Sequence, residues 1–156
     1  MKKQWIRAGL VLRFAQEGDI AVLGELNHQL IRDEGHRNPM TVPELEDRMR
    51  GWIESCAYRA VILELEGSLA GYALFTLEQG PTVYLRQFFI CRDRRRQGIG
   101  RRAIALLQSE VWPPGTRVVV DVLVGNKSAI AFWKAVGFVD YSVSLEMFVS
   151  DQQSPD

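Results

Sequence analysis

The sequence predicts a mixed α/β fold, and three observations lead to this prediction. Two segments with helical spacing of apolar residues follow the first apolar run, and a series of strand-like runs joined by short turns comes next. The last third then alternates strand, helix, strand, helix and strand. At 156 residues and 47% hydrophobic content, we expect one domain over residues 1–150, followed by a polar tail at 151–156.

The first half of the chain predicts one strand and two helices. Residues 10–14 form a short apolar run typical of a strand. The apolar spacing that follows indicates a helix that begins near Asp19, a suitable N-cap, and ends at Gly35, a suitable C-cap. Thr41 and Glu44 form a capping box, so we expect a second helix from this point.

The middle of the chain predicts three consecutive strands. Residues 58–65 and 69–77 flank the turn residues Glu66 and Gly67, which indicates a hairpin. A Gly-Pro pair separates this hairpin from a third strand at 83–90.

The last part predicts two helices and two strands. A helix that follows a basic loop places four apolar residues on one face, namely Ile99, Ala103, Leu106 and Leu107. Residues 117–124 are nearly all β-branched, which is typical of a strand covered on both faces. Residues 127–136 predict another helix, and the alternation at 140–149 predicts a last strand.

Composition argues against several classes of partner. The 19 basic residues balance the 19 acidic ones, so no overall charge favours nucleic acid or a membrane surface. No stretch is long and apolar enough for a membrane span. Cys56 and Cys91 lack CxxC spacing and fit reduced thiols, so we expect a cytoplasmic protein. With two histidines and no clustered ligand motif, no metal site is expected.

Positive charge is concentrated in one glycine-bearing loop. Six arginines lie in the eleven residues from 92 to 102, and Gly98 and Gly100 lie among them. The loop joins a strand to a helix. Because main-chain N–H groups and the helix dipole converge at such a junction, the pattern predicts a phosphate or pyrophosphate site.

The glycines also allow a dinucleotide interpretation. Residues 98–103 match the fingerprint G-x-G-x-x-G/A, and Asp121 lies near the position of a ribose-binding acid. However, residues 91–97 separate the glycines from the strand, and Asp121 lies inside a strand. The P-loop pattern G-x-x-x-x-G-K-[ST] is absent. A dinucleotide-binding oxidoreductase fragment therefore stays an alternative.

Two segments resemble the signatures of GNAT-type N-acetyltransferases. Residues 95–100, Arg-Arg-Gln-Gly-Ile-Gly, resemble the R/Q-x-x-G-x-G/A pyrophosphate loop of this family. Residues 126–138 resemble its second signature, an Asn followed by Ala, an aromatic pair and Gly-Phe. The resemblance implies a mostly antiparallel central sheet with helices on both faces and a splayed central pair of strands.

The same resemblance implies that acetyl-CoA is the co-substrate. Main-chain N–H groups of the loop would hold the pyrophosphate. The end of the preceding strand would pair with the pantetheine arm and polarise the thioester carbonyl. Trp133 would pack against the arm. The implied cofactor-binding residues are Phe89, Ile90, Cys91, Arg95, Arg96, Gln97, Gly98, Ile99, Gly100, Arg101, Asn126, Phe132 and Trp133.

The usual acid and base of the family pattern are replaced in this chain. Trp133 stands where relatives often have a tyrosine acid, and an indole N–H only donates. Arg86 and Gln87 stand where relatives often carry an acidic base. The catalytic candidates are Glu34, Gln87 acting through a water, and Tyr141, with Tyr84 as another substitute acid and Asp33, His28 and His36 as other possible bases.

The end of the first helix often lines the acceptor site in this family. The resemblance therefore implies Asn27, His28, Asp33, Glu34 and Arg86 as acceptor-binding residues, although Asn27 also fits a buried amide. We expect acetyl transfer to a primary amine of a small-molecule, amino-acid-like or peptide acceptor. The acidic pair at 33–34 favours a cationic acceptor. A homodimer is a further expectation, and a non-catalytic acyl-CoA-binding regulatory module is the alternative function.

Overall fold

A computed structural model describes residues 3–151. It contains one six-stranded sheet in which the strands lie side by side in chain order. The strands are β1 (Gln4–Arg7), β2 (Leu10–Phe14), β3 (Arg59–Leu65), β4 (Ser68–Glu78), β5 (Thr82–Ile90) and β6 (Arg117–Val119). The helices are α1 (Ile20–Glu34), α2 (Val42–Glu54), α3 (Ile99–Leu106) and α4 (Lys127–Ala135). Strands β1 to β5 pair antiparallel and β5 pairs parallel with β6, which confirms the expected mixed, mostly antiparallel sheet.

The first hairpin was not predicted from the sequence. Strand β1 pairs with β2 through a two-residue turn in which Ala8 and Gly9 have φ angles of 49° and 83°. Both angles lie in the left-handed region, as a tight hairpin turn requires. The charged residues of β1 hide the strand pattern, because this edge strand is almost entirely exposed.

Helices cover both faces of the sheet, as the sequence predicts. Helices α1 and α2 pack on one face, where Leu23 and Met49 are fully buried with Tyr72 of β4. Helix α3 packs on the other face through Ile99 and other apolar residues, and α4 adds partly buried aromatic residues there. Two predicted caps form, since Gly35 ends α1 at φ 73° and the Thr41 hydroxyl accepts a hydrogen bond from the Glu44 N–H. The predicted cap by Asp19 is wrong, because its carboxylate accepts hydrogen bonds from Arg13 and from the Gln16 N–H and makes no cap hydrogen bond to α1.

The central parallel pair separates after three residues. Residues 82–84 of β5 pair with 117–119 of β6, and β5 then continues to Ile90 without a partner on that side. Within the described part of the chain, the second half of β5 is therefore bonded only to β4. This confirms the expected splay and leaves a main-chain edge open beside α3.

Two predictions about the last third are wrong. The strand predicted at 117–124 ends at Val119, and its residues are only partly buried, because β6 lies at the edge of the sheet and separates from β5. The strand predicted at 140–149 is not paired in a sheet among residues 3–151. Its apolar side chains are exposed instead, from 74% for Val143 to 92% for Leu145. An alternating pattern specifies an extended segment, but it does not supply the neighbouring strand that such a segment must pair with.

Among residues 3–151, no helix has both the length and the apolar character needed to cross a membrane. The same residues contain no cluster of three or more potential metal ligands. The predicted tail at 151–156 lies outside the described residues except for Asp151.

Candidate active site

The N-terminus of α3 presents unpaired N–H groups beside the open edge of β5. The first helical hydrogen bond runs from the Arg102 N–H to the Gly98 carbonyl at 3.1 Å, so the N–H groups of Ile99, Gly100 and Arg101 have no partner within the helix. No side chain caps this end and no acidic residue lies in its first turn. Backbone donors and the positive end of the helix dipole therefore converge there, as an anion site requires.

The two glycines of the loop have different structural roles. Gly98 has φ 73°, and a Cβ at this position would meet no atom within 4 Å. The backbone there needs glycine and faces open space. At Gly100, a Cβ would lie 3.1 Å from the Phe132 ring, so this glycine lets α3 approach α4. The first glycine keeps the anion site open and the second one holds the two helices together.

Asp33 fixes the start of the loop. Its carboxylate accepts hydrogen bonds from Arg92 at 2.6 Å and from Arg95 at 2.7 Å. Hydrogen bonds from these two guanidinium groups, chiefly Arg92, hold the pKa of Asp33 below its usual range. Arg95 also donates from Nε to the Ile90 carbonyl at 2.9 Å and lies over the Phe89 ring at 5.0 Å. The last turn of α1, the end of β5 and the loop are thereby joined.

Three other predicted loop residues lie at the surface. Arg96 is exposed with φ 64°, Gln97 donates to the Asp93 carbonyl at 3.4 Å, and Arg101 donates to the Ala135 carbonyl at 3.5 Å. Their phosphate-binding role stays a prediction.

One main-chain N–H at the end of β5 is already bonded. The Cys91 N–H donates to the Ala70 carbonyl at 2.8 Å, on the β4 side of the strand. Since successive N–H groups of a strand point to opposite edges, the Phe89 N–H also points to β4 and the Ile90 N–H points to the open edge. Of these three amides, only that of Ile90 is therefore directed at the cleft.

An aromatic cluster lines the face of β5 that is covered by α3 and α4. The Phe132 ring stacks on Phe88 at 6.0 Å, and Trp133 contacts Phe88 at 5.5 Å and Phe138 at 5.1 Å. Phe132 and Trp133 are only partly buried, so both retain surface for a ligand. Asn126 starts α4, where its side chain accepts a hydrogen bond from the Ala129 N–H at 3.3 Å.

A β-bulge in β5 places Arg86 and Gln87 beside the helices α1 and α2. The pairing with β4 jumps from Leu74–Gln87 to Phe75–Leu85, which leaves Arg86 as the extra residue. Bulges redirect side chains and are frequent near active sites. Gln87 is buried, and its Oε1 accepts a hydrogen bond of 2.8 Å from the hydroxyl of the fully buried Tyr72. Burial raises the pKa of Tyr72 well above its usual value, so this phenol stays protonated.

Glu34 is the predicted base whose pKa is raised by its surroundings. Partial burial raises the pKa of its carboxyl group, although the contact with His36 at 2.7 Å opposes this shift. The negative charge of Glu34 also raises the pKa of Tyr72. A surface depression of about 340 Å³ is lined by His28, His36 and neighbouring residues.

The two predicted substitute acids lie beside the paired start of β5, Tyr84 at its last pair with β6 and Tyr141 near its first. Tyr84 donates to Asp121 at 2.8 Å, and burial together with this carboxylate raises its pKa to about 12. Tyr141 is exposed and lies under the Arg117 guanidinium at 4.4 Å, while Arg117 pairs with Thr82 at the start of β5. Neither contact brings a tyrosine to the Ile90 end of the strand.

Sequence reasoning missed three residues near Arg86. Trp52 lies beneath the Arg86 guanidinium at 4.8 Å and beneath Arg48 at 4.5 Å, and Tyr58 accepts a hydrogen bond from Arg86 at 3.3 Å. The spacing of Arg48 and Trp52, one helical turn apart, was the available signal.

Comparisons with known proteins agree with this geometry. The model of the acetyltransferase (GNAT) family matches residues 27–138. The thialysine N-epsilon-acetyltransferase of Bos taurus is 25% identical over 146 residues, which cover 85% of this chain and 86% of the relative. The spermidine N-acetyltransferase of Vibrio cholerae, solved with CoA and spermine, has a TM-score of 0.71 at 22% identity and covers 92% of this chain and 88% of its own. An aminoglycoside N-acetyltransferase in complex with CoA has a TM-score of 0.69 at 14% identity, covering 97% and 98%.

Proposed function

The chain belongs to the GNAT family of acetyltransferases, and from this premise we propose that it transfers acetyl groups from acetyl-CoA to a primary amine of a small-molecule, amino-acid-like or peptide acceptor. It is an acetyl-CoA-dependent acyltransferase by family. The acceptor and the residue roles below are proposals.

The observation that carries this proposal is the position of α3 relative to the splayed strand. A Cβ placed at Gly100 would lie 3.7 Å from Ile90, so the uncapped helix N-terminus is close to the end of the open edge. An anion site and an unpaired strand edge thus form one continuous surface. A ligand with a pyrophosphate at one end and an amide-containing arm at the other fits this surface.

We assign cofactor binding to three groups. The N–H groups of Ile99, Gly100 and Arg101 would hold the pyrophosphate, and the Ile90 N–H would donate a hydrogen bond to the arm or the thioester carbonyl. The exposed faces of Phe132 and Trp133 would pack against the arm. Acetyl-CoA supplies the acetyl group as an activated thioester.

Proton transfer is assigned to the other side of β5. The Glu34 carboxylate is a base whose pKa is shifted toward neutrality by burial, which suits removal of a proton from an ammonium group. Gln87 is held by Tyr72 and can orient a water between the amine and this base. No residue is assigned as an acid, because a thiol of pKa ~8.5 leaves as a thiolate at a cost of about 2 kcal/mol at neutral pH.

The relatives support an amine acceptor. Their names state thialysine and spermidine as acceptors, and both molecules carry primary amines. Spermidine is purely cationic, whereas thialysine is an amino acid and carries a carboxylate. These two relatives therefore do not decide between a purely cationic acceptor and an acceptor that also carries a carboxylate.

The test is release of free CoA thiol from acetyl-CoA with a panel of primary amines. We expect amine-dependent release well above the rate without acceptor. Tight CoA binding without release across a broad panel would favour the regulatory module instead. Stabilisation of the fold by NADH but not by CoA would favour the dinucleotide alternative.

We also propose a homodimer, supported by the exposed segment at 139–149. Its apolar residues alternate along an extended chain, and it is not paired in a sheet within residues 3–151. The outer edge of β6 is likewise unpaired. Pairing of this segment with a second copy would cover both surfaces, and light scattering of the purified protein measures whether it is dimeric.

A cytoplasmic location is the corresponding proposal for the cell. Both cysteines are free, and Cys56 is exposed. An unpaired exposed thiol fits a reducing compartment. Fractionation of cells that express the protein tests this location.

A further inference from the structure

Two arginines share one tryptophan on the α1–α2 side of β5. The Arg48 guanidinium lies 4.5 Å from the centre of the Trp52 ring, and the Arg86 guanidinium lies 4.8 Å from it. Arg86 comes from the bulge of β5 and Arg48 comes from α2, so two separate elements place positive charges against one ring. This pair is called the arginine pair below.

The arginine pair has no acidic partner in the described part of the chain. Neither Arg48 nor Arg86 forms an ion pair with any carboxylate of residues 3–151, whereas other arginines of these helices and strands do so. Their charges also oppose each other, since burial and the charge of Arg86 both lower the pKa of Arg48. Arg48 is half-buried and Arg86 is exposed, so an anion from solvent can reach the pair and would relieve the repulsion between the two cations.

Two buried donors beside Arg48 are also unpartnered. Asn27 is 1% exposed, and its Oδ1 accepts a hydrogen bond from Arg48 Nη2 at 3.1 Å, but its Nδ2 has no partner. The Nε of Arg48 has no partner either. Buried donors are nearly always satisfied in folded proteins, so two orphaned ones in one contact indicate an absent acceptor of hydrogen bonds.

Negative charge also lies near the buried Tyr72. The charges of both Arg48 and Glu34 act on the Tyr72 phenol, and Tyr72 in turn holds Gln87, the neighbour of Arg86. The region therefore has a cationic end at the arginine pair and a carboxylate at Glu34. A molecule with an ammonium group and a carboxylate matches both ends.

We propose that Arg48 and Arg86 bind a carboxylate of the acceptor, so that the substrate is an amino acid or another amine that carries a carboxylate. This inference rests on the proposed function and names its acceptor class. Guanidinium groups donate to carboxylates in a two-pronged geometry, which suits them to this role. This proposal also replaces the expectation of a cationic acceptor that was drawn from Asp33 and Glu34, because Asp33 is already bound by Arg92 and Arg95.

The test compares amino acids with the amines left when their α-carboxyl groups are removed. Binding is measured by calorimetric titration of the CoA-saturated protein, and turnover is measured as thiol release. We expect at least one amino acid to bind, and to react with a kcat/KM about 10- to 100-fold above that of its amine, which is the effect of one or two charge-assisted hydrogen bonds.

Variants locate the effect. Arg86→Met and Arg48→Met are each expected to lower kcat/KM for the amino acid more than for its paired amine, so that most of this preference is lost. Arg59→Met is the matched control, since Arg59 also lies over a ring, that of Phe14 at 5.8 Å, but on another part of the sheet. This control is expected to keep the preference, and thermal unfolding checks that all three variants fold.

The outcomes separate the two proposals. Equal or weaker binding of every amino acid relative to its amine would overturn the carboxylate inference, whether or not thiol is released. An unchanged preference in both arginine variants would overturn it as well. Amino-acid binding that depends on the arginine pair, without thiol release from any acceptor, would support this inference and contradict the proposed acetyl transfer.

Discussion

The Asp33 carboxylate accepts a hydrogen bond of 2.7 Å from Arg95, which ties the last turn of α1 to the loop that leads into α3. Arg95 in turn donates to the Ile90 carbonyl at the end of β5. A charge on the acceptor side of the molecule therefore positions the loop on the cofactor side. We propose that Asp33 acts on CoA binding through Arg95 rather than by contact with an acceptor.

We predict that Asp33→Asn lowers CoA affinity by about tenfold and lowers the free energy of unfolding by roughly 1 kcal/mol, because a partly exposed ion-pair network is weakened. Calorimetry measures the affinity and thermal unfolding measures the stability. Asp47→Asn is the matched control, because Asp47 forms an exposed ion pair with Arg50 on α2. Equal CoA affinity in the two variants would contradict the role of Asp33.

The same contact has a defined pH dependence. Arg92 and Arg95 lower the pKa of Asp33, so its contribution to stability is present above the unfolded carboxyl value of about 3.9 and is lost as the pH falls through the lower folded value. Asp33→Asn should therefore reduce stability at pH 7, and this loss should become smaller as the pH falls below the unfolded carboxyl value of about 3.9. Thermal unfolding of the wild type and the variant is measured across this pH range. A stability difference between them that stays constant with pH would contradict the ion pair.

We predict that Gly98→Trp abolishes measurable CoA binding and leaves the fold intact, at a cost of about 1–2 kcal/mol for a side chain at positive φ. Gly115→Trp is the control, because Gly115 has φ 77° and open space around it but lies beyond the far end of α3. CoA titration and thermal unfolding are measured for both. If the two variants lose similar stability and only Gly98→Trp loses CoA, the loop assignment holds; unchanged affinity in folded Gly98→Trp would refute it.

We predict that Glu34→Gln lowers kcat at neutral pH by about 100-fold, as expected for loss of a general base. Burial raises the pKa of Glu34, and the base works as a carboxylate, so the wild-type rate should rise with pH through a value above the usual glutamate pKa of about 4.3. The variant should lose this acidic limb. Glu25→Gln, an exposed change on the same helix, serves as the control, and an unaltered profile in Glu34→Gln would exclude the base role.

We predict that Trp133→Ala raises KM for acetyl-CoA by about tenfold, because the indole contacts Phe88 and Phe138 and offers surface to the pantetheine arm. The pH profile of kcat should not change, since an indole N–H does not transfer a proton. Trp133→Phe should restore most of the affinity. If Trp133→Ala lost one limb of the pH profile, this result would contradict the proposal that Trp133 only packs against the pantetheine arm.

We predict that the protein is a dimer and that Leu145→Asp makes it monomeric, because a charge on the exposed 139–149 segment opposes burial against a second copy. Light scattering measures the mass of each form. Leu77→Asp is the control at another exposed leucine, at the end of β4. A wild-type monomer, or a dimer that persists in Leu145→Asp, would contradict this interface.

Local sequence signals predicted most of the elements. Caps at Thr41 and Gly35 and the periodicity around Ile99 depend on neighbours in the chain, and each was confirmed. The loop of the cofactor site was found in the same way, because glycines and arginines between a strand and a helix are a local pattern. The alternating segment at 140–149 was misassigned as a paired strand, since pairing depends on a partner that no local pattern contains.

Side-chain relationships between distant elements could not be predicted. The contact of Asp33 with Arg95 joins residues that are 62 positions apart. Without knowledge of this contact, the acidic pair at residues 33–34 favours a cationic acceptor. The arginine pair depends on a bulge that shifts Arg86, and a bulge arises from the register of two strands. These relationships belong to tertiary packing and therefore required the structure.

The most direct test is a crystal structure of the protein with acetyl-CoA. We predict density with the pyrophosphate at the N–H groups of Ile99, Gly100 and Arg101, and with the pantetheine arm along the open edge of β5 from Ile90 toward the splay. The acetyl group should lie at the splay, between the aromatic cluster of α4 and the Gln87 side of the strand. Cofactor density elsewhere, or a bound cofactor that leaves the N-terminus of α3 unoccupied, would contradict the central claim.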